Sequence, residues 1–249
     1  MGSDYIYQSQ DEEQILHSRR VHTITDRFSM ANTYLINEER VIIVDPGTEL
    51  NVRQLQTYLQ HFLHRSLDQI DLIVLTHLHP DHTSGVEALR KLCAAPVAAS
   101  SVVRHLTHQG APGAHHSSSI AHLAEHFLTG PLQHFDLFPP VYEYQYKLVD
   151  LWLEDVAGLP GHPEWRVIAS PGHTPESLCL YNPFSQELLC GDTVITIQGG
   201  APLLRGSTNR RQLTETLRVL RSLQVHYLYP GHGRPILALH PLTNVDVEW

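Results

Sequence analysis

The sequence has few or none of the features that several classes of protein need. It contains only three cysteines, Cys93, Cys179 and Cys190, and no C-x-x-C pair. An odd number of cysteines without that spacing indicates neither a disulfide framework nor a zinc knuckle, so we expect three buried thiols. No run of about 18 apolar residues is present, and no transmembrane helix is predicted.

Positive charge is also scarce. Lys plus Arg number 17 against 26 Asp plus Glu, and the formal net charge is −9. Such a surface repels a phosphate backbone, so we do not expect nucleic acid as a partner. We expect a small-molecule substrate instead. Residues 1–20 lack the apolar stretch of a signal peptide, and we expect a cytoplasmic protein, with a homodimer left open.

The apolar residues that are present predict an α/β fold. At 249 residues and 42% hydrophobic content, the chain can bury one large core. Helical spacing is clear near residues 52–63, 86–93 and 213–223. The predicted strands are Val21–Thr25, Ala31–Ile36, Val41–Asp45, Ile70–Thr76, Pro96–Ala99, Tyr146–Leu153, Trp165–Ala169, Leu178–Tyr181, Glu187–Cys190 and Val225–Leu228. Strands followed by a helix in each half indicate two stacked α/β halves.

Residues from about 100 to 149 are predicted to form an insertion that resembles a helical lid. Within it, Ile120, Leu123 and Phe127 recur at helical spacing, which predicts an amphipathic helix over Ser117–Leu128. We expect this helix to wall the substrate pocket or to contact a partner subunit. The same helix contains an H-x-x-E-H pattern from His122 to His126, for which a polar helix face is the better interpretation than a second zinc site.

The densest group of metal-binding side chains has the pattern H-x-H-x-D-H, from His77 to His82. Three imidazoles and a carboxylate within six residues suit a borderline-soft divalent ion. Pro80 cannot continue a regular strand, so the chain is expected to turn there. His77 and His79 alternate as on an extended segment and can meet one metal, while Asp81 and His82 fall beyond the turn and can meet a second.

Three later turns carry further candidate ligands, each directly after an apolar strand-like run. They are Pro171-Gly172-His173-Thr174, Gly191-Asp192-Thr193 and Pro230-Gly231-His232-Gly233. Turns rich in Gly and Pro expose the backbone and let a side chain point into a common cleft. Each turn alone is weak evidence, but together with the first motif they predict one site.

The combined pattern resembles the metallo-β-lactamase superfamily, in the hydrolase branch that contains glyoxalase II-like thioesterases, acyl-homoserine lactonases and tRNA-processing nucleases. The resemblance covers nearly the whole chain. It implies a single domain over residues 1–249 with a four-layer αββα sandwich, in which helices flank two mixed β-sheets. By resemblance, metal one is held by His77, His79 and His173, metal two by Asp81, His82 and His232, and Asp192 bridges both.

The expected function is that of a dinuclear hydrolase. Two metals about 3.5–4 Å apart would bridge a water, lower its pKa and present hydroxide to an ester, thioester or lactone carbonyl. The resemblance implies that Asp81 orients this hydroxide and then protonates the leaving group, and that Asp45 anchors the metal-binding loop. Zinc is the first expectation for both ions because histidines predominate, with Mn²⁺ or Fe²⁺ as alternatives.

Other hydrolases of this branch fit less well. Only residues 233–249 follow His232, so we do not expect the helical domain with which glyoxalase II binds glutathione. The lactonase branch usually has a tyrosine shortly after the bridging aspartate, and none follows Asp192 here. A phosphodiesterase or nuclease needs a basic face, and most of the nearby arginines could equally solvate a helix. Those arginines are Arg205, Arg210, Arg211, Arg218 and Arg221.

Two alternatives lie outside hydrolysis. A persulfide dioxygenase of the same fold would hold one iron through His77, His173 and Asp192, which this sequence also provides. The complete second ligand set makes this interpretation weaker, and metal content would decide between the two. A non-catalytic binding protein on this scaffold would normally have lost ligands, and none is lost.

Overall fold

A computed structural model describes residues 20–25, 31–104, 146–196, 202–204 and 206–247. The strands are β1 (Val21–Thr25), β2 (Asn32–Asn37), β3 (Val41–Val44), β4 (Ile70–Val74), β5 (Val97–Ser100), β6 (Leu151–Leu153), β7 (Gly158–Leu159), β8 (His162–Ala169), β9 (Leu178–Asn182), β10 (Glu187–Gly191), β11 (Ile195–Thr196), β12 (Pro202–Leu204), β13 (Tyr227–Pro230), β14 (Ile236–Leu237) and β15 (Asp246–Val247). The helices include α1 (Glu49–His61), α2 (Pro80–Thr83), α3 (Val86–Arg90) and α4 (Arg210–Arg221), with a 3₁₀ turn at Leu67–Gln69.

The first half of the chain forms a six-stranded sheet in the order β1-β2-β3-β4-β5-β6. The pairs among β1, β2 and β3 are antiparallel, whereas β3 to β6 run parallel. Parallel neighbours need a crossover, which α1 provides between β3 and β4. The carboxyl ends of β3, β4 and β5 therefore lie at the same edge of the sheet.

The second half forms another six-stranded sheet, in the order β14-β13-β10-β9-β8-β7. Only its β10–β13 pair is parallel among the described strands, and α4 makes that crossover. Gly191 is in register with Pro230, so the carboxyl ends of β10 and β13 lie side by side. A small third sheet joins β11, β12 and β15.

Side-chain alternation along the strands divides the core into layers. Ile42 and Val44 of β3 pack between the two sheets, whereas Val41 and Ile43 pack on the outer face with Leu55 of α1. The division arises because successive side chains of a strand point to opposite faces of the sheet. The core between the sheets also contains Leu72, Val74, Trp165, Val167 and Leu180, which come from both sheets.

The second sheet is layered in the same way. Leu189 of β10 faces the core between the sheets, whereas Leu188 and Cys190 pack on the outer face with Leu213 and Leu217 of α4. Helices on the outer face of each sheet and a core between the sheets make four layers. The predicted αββα sandwich of two mixed sheets is thereby confirmed.

One predicted strand is wrong in part. The run Tyr146–Leu153 is predicted to be extended throughout, but only Leu151–Leu153 forms a strand and Tyr146 is helical. Tyr146 and Leu148 instead pack into the outer core of the first sheet, so tertiary burial outweighs the apolar run. The strands β7, β11, β14 and β15 are not predicted, because two residues are too few to show a period.

The three thiols are buried, as expected from the sequence, and Cys190 belongs to the outer core of the second sheet. Over the described ranges, no helix is long and apolar enough to cross a membrane.

Candidate metal centre

The loop that follows β4 carries the first four candidate ligands. His77 lies just beyond the end of β4, where it is 1% exposed. His79 is the N-cap of α2, and Pro80 occupies the first turn, where a missing N–H costs no hydrogen bond. Asp81 and His82 therefore lie on α2, beyond the turn at Pro80.

The second sheet contributes the other three candidates from its strand ends. His173 follows β8, Asp192 follows β10 and His232 follows β13. The amide of Gly231 donates to the carbonyl of Gly191 over 2.7 Å, which ties the last two turns together. A Cβ on residue 231 would lie 2.1 Å from Asp192 Oδ1, so only glycine allows this approach.

One group of donor atoms is formed by His77, His79, His173 and Asp192. His173 Nε2 lies 3.1 Å from His79 Nδ1 and 3.5 Å from Asp192 Oδ2. His77 Nε2 lies 3.8 Å from the same carboxylate oxygen. The four donors therefore converge on one small volume between the two sheets.

A second group is formed by Asp81, His82 and His232. His232 Nε2 lies 3.1 Å from Asp81 Oδ2 and 3.4 Å from His82 Nε2. Asp192 borders this group as well, since its Oδ1 is 3.5 Å from His82 Nε2 and its Oδ2 is 3.4 Å from His232 Nε2. The structure thus brings all seven predicted residues together, with Asp192 between the two groups.

The donor atoms fit divalent metal ions. Zinc–ligand bonds of about 2.0–2.1 Å place neighbouring ligands of a tetrahedral ion about 3.3–3.4 Å apart. The close contacts between donor atoms run from 3.1 to 3.8 Å, and all donors of one group lie within 4.8 Å of one another. Two buried atoms, His77 Nε2 and Asp192 Oδ1, have no hydrogen-bond partner among the described residues. Such atoms are costly to bury unless a cation satisfies them.

Both carboxylates of the site are ionised at neutral pH. Burial opposes the charge on Asp192, but the neighbouring His232 and His82 outweigh it and hold its pKa well below the usual range. The same balance lowers the pKa of Asp81 to about 2, with His82 and His232 as the stabilising neighbours. The site therefore presents two negative charges to a cation.

The histidines divide into two kinds. Burial and neighbouring imidazoles lower the pKa of His77 and bring that of His79 to about 4, so both rings are neutral and keep a lone pair for a metal. Burial also opposes the charge on His232, but Asp192 and Asp81 outweigh it and raise its pKa to about 10. Asp192 and Asp81 raise the pKa of His82 in the same way. Positive charge is thus favoured beside the paired carboxylates.

Asp45 holds the loop after β4 in place. Its Oδ1 accepts from the amide of Thr76 over 2.8 Å, and its Oδ2 accepts from the Thr76 hydroxyl over 2.7 Å. The same Oδ2 lies 3.0 Å from His82 Nδ1, which leaves His82 Nε2 directed at the site. This is the anchoring position that the sequence pattern implied for Asp45. A carboxylate behind a ligating imidazole orients it and raises its basicity.

Two further contacts were not predicted from the sequence. Glu176 is 2% exposed, and its Oε1 accepts from the amide of Leu78 in the metal-binding loop over 3.3 Å. The carbonyl of Gly206 accepts from His173 Nδ1 over 2.7 Å, which directs His173 Nε2 inward. The nearness of Glu176 to His173 in the sequence could have indicated this residue, whereas no sequence signal indicates Gly206.

Several sequence-based interpretations lie outside the described residues. They are the helix over Ser117–Leu128, the H-x-x-E-H pattern from His122 to His126, and Arg205. The predicted insertion leaves β5 and returns to β6, two strands that pair in parallel. Since β4 and β5 are also parallel, Ser100 at the end of β5 lies at the same sheet edge as the loop that carries His77.

The sequence and the fold are similar to those of known proteins. Residues 26–232 match the family model described as the metallo-beta-lactamase superfamily. Among curated relatives, a probable metallo-hydrolase of Methanocaldococcus jannaschii is 26% identical over 82% of this chain and 87% of its own length. A hydroxyacylglutathione hydrolase of Idiomarina loihiensis is 26% identical over 86% of this chain but only 61% of its own length.

A solved structure shares the fold. A metallo-beta-lactamase family protein from Thermus thermophilus superposes with a TM-score of 0.59 and 21% identity. The superposition covers 90% of this chain and 76% of the other.

Proposed function

This chain belongs to the metallo-beta-lactamase superfamily, and from that premise we propose that it is a dinuclear hydrolase of a small-molecule ester, thioester or lactone. Metal-dependent hydrolysis itself follows from the family and from the relatives described as metallo-hydrolases. The observation that carries the dinuclear proposal is the position of Asp192, whose carboxylate lies within 3.8 Å of two histidines from each group. A carboxylate so placed can bridge two ions.

The seven residues are proposed to form two sets of metal ligands that share Asp192. His77, His79 and His173 are the proposed ligands of one ion, Asp81, His82 and His232 of the other, and Asp192 bridges both. When bound, the two ions supply Lewis-acid polarisation of a carbonyl and a water of lowered pKa. Zinc is the proposed metal because imidazole nitrogens outnumber carboxylates, with Mn²⁺ or Fe²⁺ as alternatives.

Asp81 is the proposed proton carrier. Its side chain is 11% exposed and that of His232 is 24% exposed, so these two residues border the side of the centre that solvent reaches. A low pKa keeps the Asp81 carboxylate able to accept a proton, which it then delivers to the leaving group. Substrate would approach from this same side.

A small molecule is the proposed substrate, and nucleic acid is not. The basic residues of α4 are partly engaged within the protein, since Arg221 donates to the carbonyls of Leu242 and Thr243 and Arg218 pairs with Glu215. A phosphate-binding surface needs such groups free. The relative described as a hydroxyacylglutathione hydrolase supports an acyl substrate.

Metal content tests the proposal. After saturation with zinc and removal of free ions, Asp192→Ala should hold about two ions per chain fewer than the wild type, because both groups lose their shared ligand. Glu215→Gln, a surface variant that also removes one carboxylate, should match the wild type. A difference of one ion would instead favour a mononuclear site, as in the dioxygenase alternative that uses His77, His173 and Asp192.

Substrate class needs a separate assay. A panel of thioesters, lactones, simple esters and phosphodiesters should show chelator-sensitive turnover of carbonyl compounds. Turnover confined to phosphodiesters would contradict the proposed substrate class while leaving the metal centre intact.

A further inference from the structure

Four titratable side chains meet at the edge of the sandwich opposite the metal centre. Glu38 lies in the turn between β2 and β3, Asp71 near the start of β4, and His162 and Glu164 in the first half of β8. The metal centre follows the other ends of β4 and β8, roughly 20 Å away along the strands. We call these four residues the cross-sheet cluster, because two come from each sheet.

His162 is the buried member of this cluster. The residue is 4% exposed, and its Nε2 has no hydrogen-bond partner within the described part of the chain. Both ring nitrogens nevertheless face carboxylates, with Nδ1 3.5 Å from Glu38 Oε2 and Nε2 3.4 Å from Asp71 Oδ2. A buried imidazole set between carboxylates has the surroundings of a metal ligand.

The carboxylates around His162 are held in orientation by other residues. Glu38 Oε1 accepts from Trp165 Nε1 over 3.1 Å and from Arg20 over 3.2 Å, which leaves Oε2 for the cluster. Asp71 Oδ1 accepts from Arg40 over 3.2 Å, which leaves Oδ2 facing His162. One oxygen of each carboxylate is therefore free to serve the cluster.

The donor atoms of three of these residues also lie close to one another. Donor atoms of Glu38, His162 and Glu164 all lie within 4.8 Å of one another. Ligands of a tetrahedral zinc ion lie about 3.3–3.4 Å apart, so side-chain movements of roughly 1 Å would close the site around an ion.

We propose that Glu38, His162 and Glu164 form a second metal site, separate from the hydrolytic centre, which takes one divalent transition-metal ion. His162 would bind the ion through Nδ1, while its Nε2 faces Asp71 Oδ2 at 3.4 Å, which places a carboxylate behind the ligating histidine. One nitrogen and two carboxylates suit zinc, with Mn²⁺ as the alternative. The ion would join the two sheets at the edge that the hydrolytic centre does not reach.

Metal counting on the full chain tests this site with Zn²⁺ alone as the probe. After saturation and removal of free zinc, Glu164→Gln should hold one ion per chain fewer than the wild type. Glu164 is partly exposed, so this variant is expected to fold. The matched control Glu215→Gln removes an exposed carboxylate of α4 and should keep the wild-type count.

Anomalous diffraction at the zinc edge gives a second measurement, with a peak expected between Glu38, His162 and Glu164. Equal zinc counts in Glu164→Gln, Glu215→Gln and the wild type would overturn the proposal, as would the absence of that peak from a zinc-saturated crystal. The hydrolytic centre is tested through Asp192, so failure of either proposal leaves the other standing.

Discussion

At the scale of single residues, Asp81 and Asp192 are both buried carboxylates among histidines, yet they occupy different places. Asp192 is 3.8 Å or less from His77, His82, His173 and His232. Asp81 belongs to only one of the two donor groups, and it lies 3.1 Å from His232, whose side chain is 24% exposed. An aspartate can therefore hold the metal centre together at position 192 and transfer a proton at position 81.

Asp81→Asn should separate these roles. We expect kcat to fall by about 10²–10⁴-fold, because an amide cannot carry the proton, while one ion is held more weakly. Steady-state kinetics at saturating metal measures the first effect and metal titration the second. The exposed Asp68→Asn is the control. Near-normal turnover of Asp81→Asn at full metal loading would remove Asp81 from the mechanism.

At the scale of elements, α4 covers the outer face of the second sheet and leads to the turn that carries His232. Leu213, Leu217 and Leu220 are buried along one side of α4, while Arg218 and Val219 lie on the exposed side. Asn209 is the N-cap of the helix, and its side chain accepts a hydrogen bond from the amide of Gln212. Tertiary packing of this apolar side, more than intrinsic propensity, holds the helix.

Leu217→Ala should lower the free energy of unfolding by about 2–5 kcal/mol, since it leaves a cavity between α4 and the sheet. Urea denaturation monitored by circular dichroism measures the change. Val219→Ala removes a side chain from the same helix at a residue that is 47% exposed, and it should have a much smaller effect. Equal effects of the two variants would contradict the packing described for α4.

At the scale of the whole molecule, the metal centre joins the two halves of the chain. His77, His79, Asp81 and His82 come from the first sheet, whereas His173, Asp192 and His232 come from the second. An ion held by both groups binds the folded state and not the unfolded chain. Metal binding is therefore expected to stabilise the packing of one sheet on the other.

Chelation should lower the Tm of the zinc-loaded protein. An ion at 100 times its Kd stabilises the folded state by about 2.7 kcal/mol, and for a chain of this size each kcal/mol moves Tm by about 2–4 °C. Scanning calorimetry with and without chelator gives the shift. Asp192→Ala should show a much smaller shift. A Tm of the wild type that is insensitive to chelation would show that the ions do not link the halves.

The sequence by itself determined much of this protein, because both the strands and the seven candidate ligands leave local signals. The four residues Val41–Val44 are all apolar, and successive side chains of a strand point to opposite faces. The run by itself therefore predicts a strand that is buried on both faces, as the structure shows. Gly and Pro mark the turns that carry His173 and His232, and the H-x-H-x-D-H pattern is contained within six residues. Patterns of this kind involve only a few neighbouring residues, so they can be recognised from the sequence alone.

Only the tertiary structure decided which residues that are distant in the sequence contact each other when the two sheets pack together. The sequence did not show that Glu176 holds the amide of Leu78, a contact between residues 98 positions apart. It also did not show that Tyr146 leaves the strand to pack on the first sheet, or that Glu38 and His162 approach each other across the sandwich. The physical reason is that such contacts are fixed by the register and packing of distant strands, which no local pattern of residues encodes.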